Sequence, residues 1–246
     1  MKALDKKGIF ASIILGIIVL LGPRTWTWFA LLLIFFFISF YFTRFRYHDK
    51  YILGSAEGKG GTRSWNNVLA NGGAVLVIAI IEFFIHGEIF AAAFLGAIAT
   101  STSDTLATEV GLLSKKSPRL ITRLSIIVNP GLSGGVTTLG LIMALVGSSI
   151  IGLVGVVLGF INGDYIKILI ISIFSGFFGA TVDSLFGATI QGSYRCKVCG
   201  VQTENQLHHD EPTKLFRGFS FVGNSAVNLF STSAGAVFAT ILFIIL

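Results

Sequence analysis

Seven long apolar runs, near residues 8–22, 25–43, 68–87, 88–113, 132–161, 165–190 and 218–246, restrict this chain more than any other feature. A helix needs roughly 20 mainly apolar residues to cross a hydrocarbon core of about 30 Å. The runs therefore predict an all-α fold: a polytopic membrane helix bundle of about seven transmembrane helices, with residues 1–246 forming one integral membrane domain. Only 12% of the residues are charged and 53% are hydrophobic, with a mean hydropathy of +0.82, so an ordinary soluble domain is excluded. The first run follows Lys2, Lys6 and Lys7 and imitates a signal peptide, but LGPRTWTW offers no small-x-small cleavage site, and the run reads as a retained helix. The run 132–161 has the length of one tilted helix or two short ones. One crossing, with room for a re-entrant piece, is preferred because two would carry the last basic loop to the opposite side.

Charge sets the orientation. With the N-terminus in the cytoplasm and seven crossings, all but two of the 18 Lys and Arg residues fall on the cytoplasmic side; Arg24 and Lys167 are the exceptions. This obeys the positive-inside rule, and the cell membrane is the expected location. The net charge of +6 is then a consequence of topology and calls for no nucleic acid.

Against this background the acidic residues stand out. SDTLATEVG (103–111) holds Asp104 and Glu109 at the end of the fourth run, and VDSLFGATIQG holds Asp183 near the end of the sixth. Both runs head toward the cytoplasm, so Asp104-Thr105-Leu106 and Asp183-Ser184-Leu185 form a weak internal repeat at similar depth. An intramembrane carboxylate costs about 2.5–3.5 kcal/mol on insertion scales and is a functional candidate by default. Gly176, Gly179, Gly187 and Gln191 share a helical stripe with Asp183, a small-residue face suited to close packing rather than lipid. Asp104 shares its stripe with Thr100, Ser101 and Thr108. Glu109 lies about 140° further round an ideal helix and serves a different partner unless the helix distorts. For Glu109 a catalytic role and a structural ion pair both stay open; for Glu82, near the opposite surface, the structural reading is preferred.

Amides and cations gather at the same end. Asn67 and Asn71 share a face at the start of the third run, and Asn224, Asn228 and Ser231 share one at the start of the seventh. In GSAEGKGGTRSWNN, four glycines surround Lys59 and Arg63 ahead of a helix N-terminus, where free N–H groups and the helix dipole favour an anion. In RLITRLSIIVNPGLSGGVTTLG, Arg119 and Arg123 precede Ser133-Gly134-Gly135. Neither segment is a Walker A motif. Together with carboxylates suited to Mg²⁺, they make a plausible site for a nucleotide triphosphate.

The cytoplasmic loop 192–213 carries CKVCGVQTENQLHHDE. Cys196 and Cys199 form a tight turn, and His208 and His209 would complete a set of four zinc ligands, although adjacent His side chains are expected to diverge, leaving open whether one or both bind. Thiols on the cytoplasmic side stay reduced, which disfavours a simple disulfide.

The order RSWNNVLANGG, TSTSDTLATEVG, PRLITRLSIIVNPGLSGGVTTLG, TVDSLFGATIQG, Cys-x-x-Cys with downstream His, and GNSAVNLFS resembles the DUF92, or transmembrane protein 19, family of integral membrane proteins, which includes a plant phytyl-phosphate kinase. The resemblance covers about residues 45 to 240. It implies a membrane-embedded kinase that transfers the γ-phosphate of CTP or ATP to an isoprenoid monophosphate, giving the diphosphate. It puts the family's acidic motif on Asp104, Thr105 and Glu109, its Gly-rich loop on Ser133 to Gly135, its second acidic motif on Asp183 and Ser184, and His209 where the family often has Cys. Asp104 and Asp183 would hold Mg²⁺, Lys59, Arg63, Arg119 and Arg123 would bind phosphates, and Asn67, Asn71, Asn224 and Asn228 would orient them. A cytidylyltransferase acting on a lipid phosphate and a secondary transporter are the competing functions.

Overall fold

In the computed structural model, which describes residues 2–58 and 60–246, the apolar runs become helices. They are α1 (Lys6–Leu21), α2 (Thr25–Arg44), α3 (Tyr47–Ile52), α4 (Trp65–Ile85), α5 (Glu88–Gly111), α6 (Thr138–Val157), α7 (Tyr165–Thr189) and α8 (Asn224–Ile245). Six of these are long and apolar enough to span a membrane. α1, with 16 residues, is shorter than those six and packs against α2 and α4. Phe10, Phe37, Phe84, Phe230 and Ile244 project outward into an apolar belt.

α5 is the axis of the bundle. Of its most apolar stretch 83% is buried, against 17–39% for the other five spanning helices, and α2, α4, α6, α7 and α8 all pack on it. Its sequence explains this position. Ala, Gly, Ser and Thr let neighbouring backbones come close, and in an apolar medium that contact, with hydroxyl hydrogen bonds, is what joins helices. A Cβ built on Gly96 would lie 2.8 Å from the Gly235 carbonyl oxygen of α8, and one on Gly179 of α7 would lie 2.8 Å from Thr100 Cβ. Thr100 Oγ1 donates to the Ser175 carbonyl (3.2 Å), Ser101 Oγ to that of Asn71 (3.0 Å) and Ser103 Oγ to that of Ala144 (2.8 Å). Of the small-residue stripe expected around Asp183, Gly176 and Gly179 pack on α5, whereas Gly187 meets Ser133 and Gly134 and Gln191 donates to Glu204.

α1 and the six longer helices alternate in direction. The C-terminal ends of α2, α5 and α7 therefore share one face with the N-terminal ends of α1, α4, α6 and α8. On that face lie α3 and three small antiparallel sheets: β1 (Arg119–Leu120), β2 (Arg123–Ile127) and β3 (Gly135–Val136) in order β2-β1-β3; β4 (Ser193–Arg195), β5 (Gln202–Thr203) and β8 (Lys214–Arg217) in order β5-β4-β8; and the pair β6 (Leu207–His208) and β7 (Glu211–Pro212). These strands differ from the expected plain loops. The β-branched Ile126 and Ile127 of β2 suit a pleated surface.

The run 132–161 is one helix, but it begins at Thr138, where Thr137 caps it by accepting the Gly140 N–H at 3.0 Å. Gly131 and Gly134, at φ 80° and 83°, hold the preceding residues out of helix. The last run likewise becomes helical only at Asn224, because Gly218 and Phe219 are engaged with Ile190 and Gln191. At the opposite face Arg24 joins three helices: its Nε lies 3.0 Å from Glu82 at the end of α4, and its Nη2 lies 2.7 Å from Glu88 at the start of α5. Glu82 is structural, as its position near that surface suggested.

Candidate functional site

At the sheet-bearing face the helix ends enclose a cavity of about 390 Å³. α5 contributes Asp104, Thr105, Thr108 and Glu109; α7 contributes Asp183 and Ser184; α4 contributes Asn67 and Asn71; and α8 contributes Asn224 and Asn228. Residues scattered over 160 positions of sequence therefore converge because the helices that carry them alternate in direction.

Asp183 is held from α8. Ser231 Oγ donates to its Oδ2 at 2.9 Å, and the hydrogen-bond network orients the Asn228 amide nitrogen toward the same oxygen (3.2 Å) and the Asn224 carbonyl (3.0 Å). On α4, Asn67 donates to Glu57 at 2.6 Å, while the Asn71 side chain donates to the Asn67 carbonyl at 3.0 Å. Asp104 and Asp183 open on the same cavity, so two carboxyl groups share one space, and a cation there would offset the cost of ionising both. Carboxylate oxygens of this kind are the donors that hard divalent ions such as Mg²⁺ take.

The Gly131–Gly135 loop completes the lining beside α7. Gly134 rests directly on α7: a Cβ there would lie 2.6 Å from Ala188 Cα. Ser133 is gripped by Glu204, whose Oε1 accepts the Ser133 N–H at 2.8 Å and also the Ser133 hydroxyl, and whose Oε2 accepts from Gln191 at 2.9 Å. Glu204 lines the cavity and so adds a third carboxylate beside the two aspartates.

A family model described as "Integral membrane protein DUF92" matches residues 1–236. The chain belongs to this DUF92 family. Its relatives include Protein PGR of Arabidopsis thaliana, 31% identical over 82% of this chain and 76% of the relative. Another is Uncharacterized membrane protein MJ0933 of Methanocaldococcus jannaschii, 31% identical over 98% of this chain and 87% of that protein. Protein VTE6, chloroplastic, of Arabidopsis thaliana is 24% identical over 91% of this chain and 62% of its own length. No solved structure matches the chain.

Within this DUF92 chain the cations are distributed differently from the sequence expectation. Arg63, Lys115 and Lys116 line the cavity, but Arg119 and Arg123 do not. They stand on β1 and β2 with exposed side chains, and Arg119 Nη1 is turned to the Leu124 carbonyl at 2.7 Å. The hairpin turns them away, which a loop reading could not foresee. Lys59 lies outside the described residues. Glu109 has a partner of its own: Lys50 Nζ, fully buried, lies 2.6 Å from Oε2, and Arg63 Nη2 lies 3.7 Å from Oε1. Lys50 also donates to the Phe42 carbonyl at 2.7 Å. Lys50 and Glu204 were both missed from sequence. Lys50 sits in a run of basic loop residues that looks solvated, and Glu204 sits in the Cys/His loop, far in sequence from every helix motif.

That loop of the DUF92 chain gathers its own cluster. One ligand atom from each of Cys196, Cys199, His208 and His209 lies within 4.8 Å of the others. The two imidazoles converge because His209 and Asp210, at φ 57° and 60°, turn the chain sharply after β6, bringing the ring centroids to 4.2 Å. The Cys199 backbone N–H, followed by the His208 ring and the Val198 N–H, holds the Cys196 thiol down at about 6 against the opposing effect of burial. A thiolate pair with two imidazoles is the donor set of a closed structural zinc site.

Proposed function

We propose that this protein is a membrane-embedded kinase that transfers the γ-phosphate of CTP or ATP to an isoprenoid monophosphate. The observation that carries the reading is the polar cavity at one end of the bundle, lined together by Asp104, Asp183, Arg63, Lys115, Lys116 and the glycine-rich 131–135 loop. A lipid phosphate dissolved in the bilayer and a nucleotide dissolved in water meet only at a boundary such as this. A secondary transporter would place its buried carboxylates nearer the bilayer midplane. The family resemblance, which takes in a plant phytyl-phosphate kinase, supports the same chemistry. The basic loops surrounding the cavity support a cytoplasmic site and a cytoplasmic N-terminus, with the cell membrane as the location.

Phosphoryl transfer asks mainly for positioning and charge neutralisation. In the proposed step an oxygen of the lipid monophosphate forms the bond to the γ-phosphorus while the bond to the β–γ bridging oxygen breaks, and the nucleoside diphosphate leaves with that electron pair. The acceptor is already an anion, so no residue must remove its proton. Arg63, Lys115 and Lys116 neutralise phosphate oxygens, Asn67, Asn71 and Asn224 orient them, and the 131–135 loop borders the phosphates. Asp104 and Asp183 are the ligands we assign to Mg²⁺, which neutralises triphosphate charge when bound. Ser231 and Asn228 fix the direction of the Asp183 carboxylate. Zinc in the Cys196, Cys199, His208 and His209 cluster has a structural role in this scheme.

The test is incubation of the purified protein with γ-labelled CTP or ATP and a series of polyprenyl monophosphates. Asp104→Asn or Asp183→Asn is expected to lower kcat by about 10²-fold or more, equivalent to a few kcal/mol of transition-state stabilisation, while the variants elute as folded protein. Near wild-type transfer by both variants overturns the assigned site. Release of pyrophosphate with a cytidylated lipid identifies a cytidylyltransferase instead, and solute movement across liposomes without any transfer identifies a transporter.

A further inference from the structure

A second cavity, also about 390 Å³, runs between α1, α2 and α4, and its chemistry is the reverse of the first. Leu15 and Leu20 of α1 and Phe29, Phe36 and Phe40 of α2 form its walls. Three residues border both cavities: Arg63, Asn67 and Asn71. The apolar groove therefore begins where the polar cavity ends, at a cation and two amides. Arg63 Nε at this junction is buried and has no hydrogen-bond partner among the described residues, so a donor stands unused where the two chemistries meet.

We propose that this groove binds the hydrocarbon chain of the lipid whose phosphate occupies the polar cavity, with Arg63, Asn67 and Asn71 at the junction of chain and head group. The proposal rests on reading the polar cavity as a lipid-phosphate site. An amphiphile whose head is enclosed there must lead its chain out along an apolar path. The helices around α5 close on one another through small residues, whereas the α1–α2–α4 side keeps a groove that meets the head-group site directly. From Thr43 to Phe29, both lining residues, α2 rises about 21 Å, more than half of the roughly 30 Å hydrocarbon core. A chain lying along it passes the midplane, which suits a long isoprenoid. Lipid tails are as apolar as the groove, so little is gained by leaving the bilayer. The groove acts by holding the chain in one direction and thereby aiming the phosphate.

Two measurements test this. In the first, wild-type protein in phospholipid nanodiscs is photolabelled with a long-chain polyprenyl monophosphate carrying a diazirine at its far end, and labelled peptides are mapped. Labelling is expected on α1 and α2, with competition by unlabelled long-chain monophosphate and not by added phospholipid. Labelling spread over the outer faces of α6 and α8, or equal competition by phospholipid, means that bulk lipid alone fills the groove and overturns the proposal. In the second, Ser12→Trp and Leu33→Trp, which narrow the groove from half-exposed or exposed lining positions, are expected to lower kcat/KM for a long-chain monophosphate at least tenfold. A single-isoprene monophosphate, too short to enter, should be phosphorylated as before, which also shows that the variants are folded. Equal effects on both substrates in monodisperse protein overturn the proposal. Groove labelling without phosphate transfer overturns the kinase reading and leaves the groove standing; transfer with labelling elsewhere does the opposite.

Discussion

Lys50 and Glu109 illustrate what a charge means once its surroundings are known. Lys50 is completely buried and reaches both Glu109 and the carbonyl end of α2, so the pair joins α3, α2 and α5 at the edge of the cavity. Removing one member of a buried pair leaves the other uncompensated, at a cost of about 3–5 kcal/mol. Lys50→Met is therefore expected to lower the melting temperature of detergent-solubilised protein markedly, with Glu109→Gln added to the same chain restoring part of the loss; an unchanged melting temperature in Lys50→Met contradicts this role. Asp104 and Asp183 could be found by eye because a carboxylate in an apolar run is conspicuous. Lys50 could not, because a lysine among Arg44, Arg46 and Arg63 looks like any other basic loop residue. Burial is a tertiary property, and nothing in the local sequence signals it.

Among the elements, the helices were legible and their surface decoration was not. Apolar length locates α2, α4, α5 and α7 within a few residues, while the starts of α6 and α8 shift inward because glycine-dependent turns occupy the preceding positions. The two three-stranded sheets were invisible, since strands of two to five residues carry too little periodicity to register. The Cys/His loop matters to the cavity because Glu204 lies between its two ligand pairs and grips Ser133. Purified protein prepared without chelator is expected to contain about one zinc per chain, the stoichiometry of a closed four-ligand site. Cys196→Ser with Cys199→Ser should lose the metal and raise KM for the nucleotide as Glu204 loses its anchor. Metal analysis finding no zinc in the parent protein removes the assignment.

At the scale of the whole molecule, the alternation of helix direction creates the polar end, and that alternation was readable from the placement of Lys and Arg alone. A cysteine introduced near Lys116 or Glu57 is expected to react with an impermeant thiol reagent only from the cytoplasmic side, and one near His86 only from the other. Labelling of both regions from one side would refute the proposed orientation and the crossing count. The distribution of the polar groups was legible; the grouping of helices into a tight core around α5 and a looser α1–α2 flank was not, because it depends on which faces meet. The Arg24 clamp gives this asymmetry a mechanical meaning. It fastens the beginning of α2 to the end of α4 and the beginning of α5, at the face away from the cavity. A 20-residue helix is a lever about 30 Å long, so a tilt of roughly 6° about such a fulcrum moves its other end by about 3 Å. Lys50, which bonds the Phe42 carbonyl and Glu109, braces that other end against α5, so loss of the Lys50–Glu109 pair frees the swing of α2 at the end nearest the cavity.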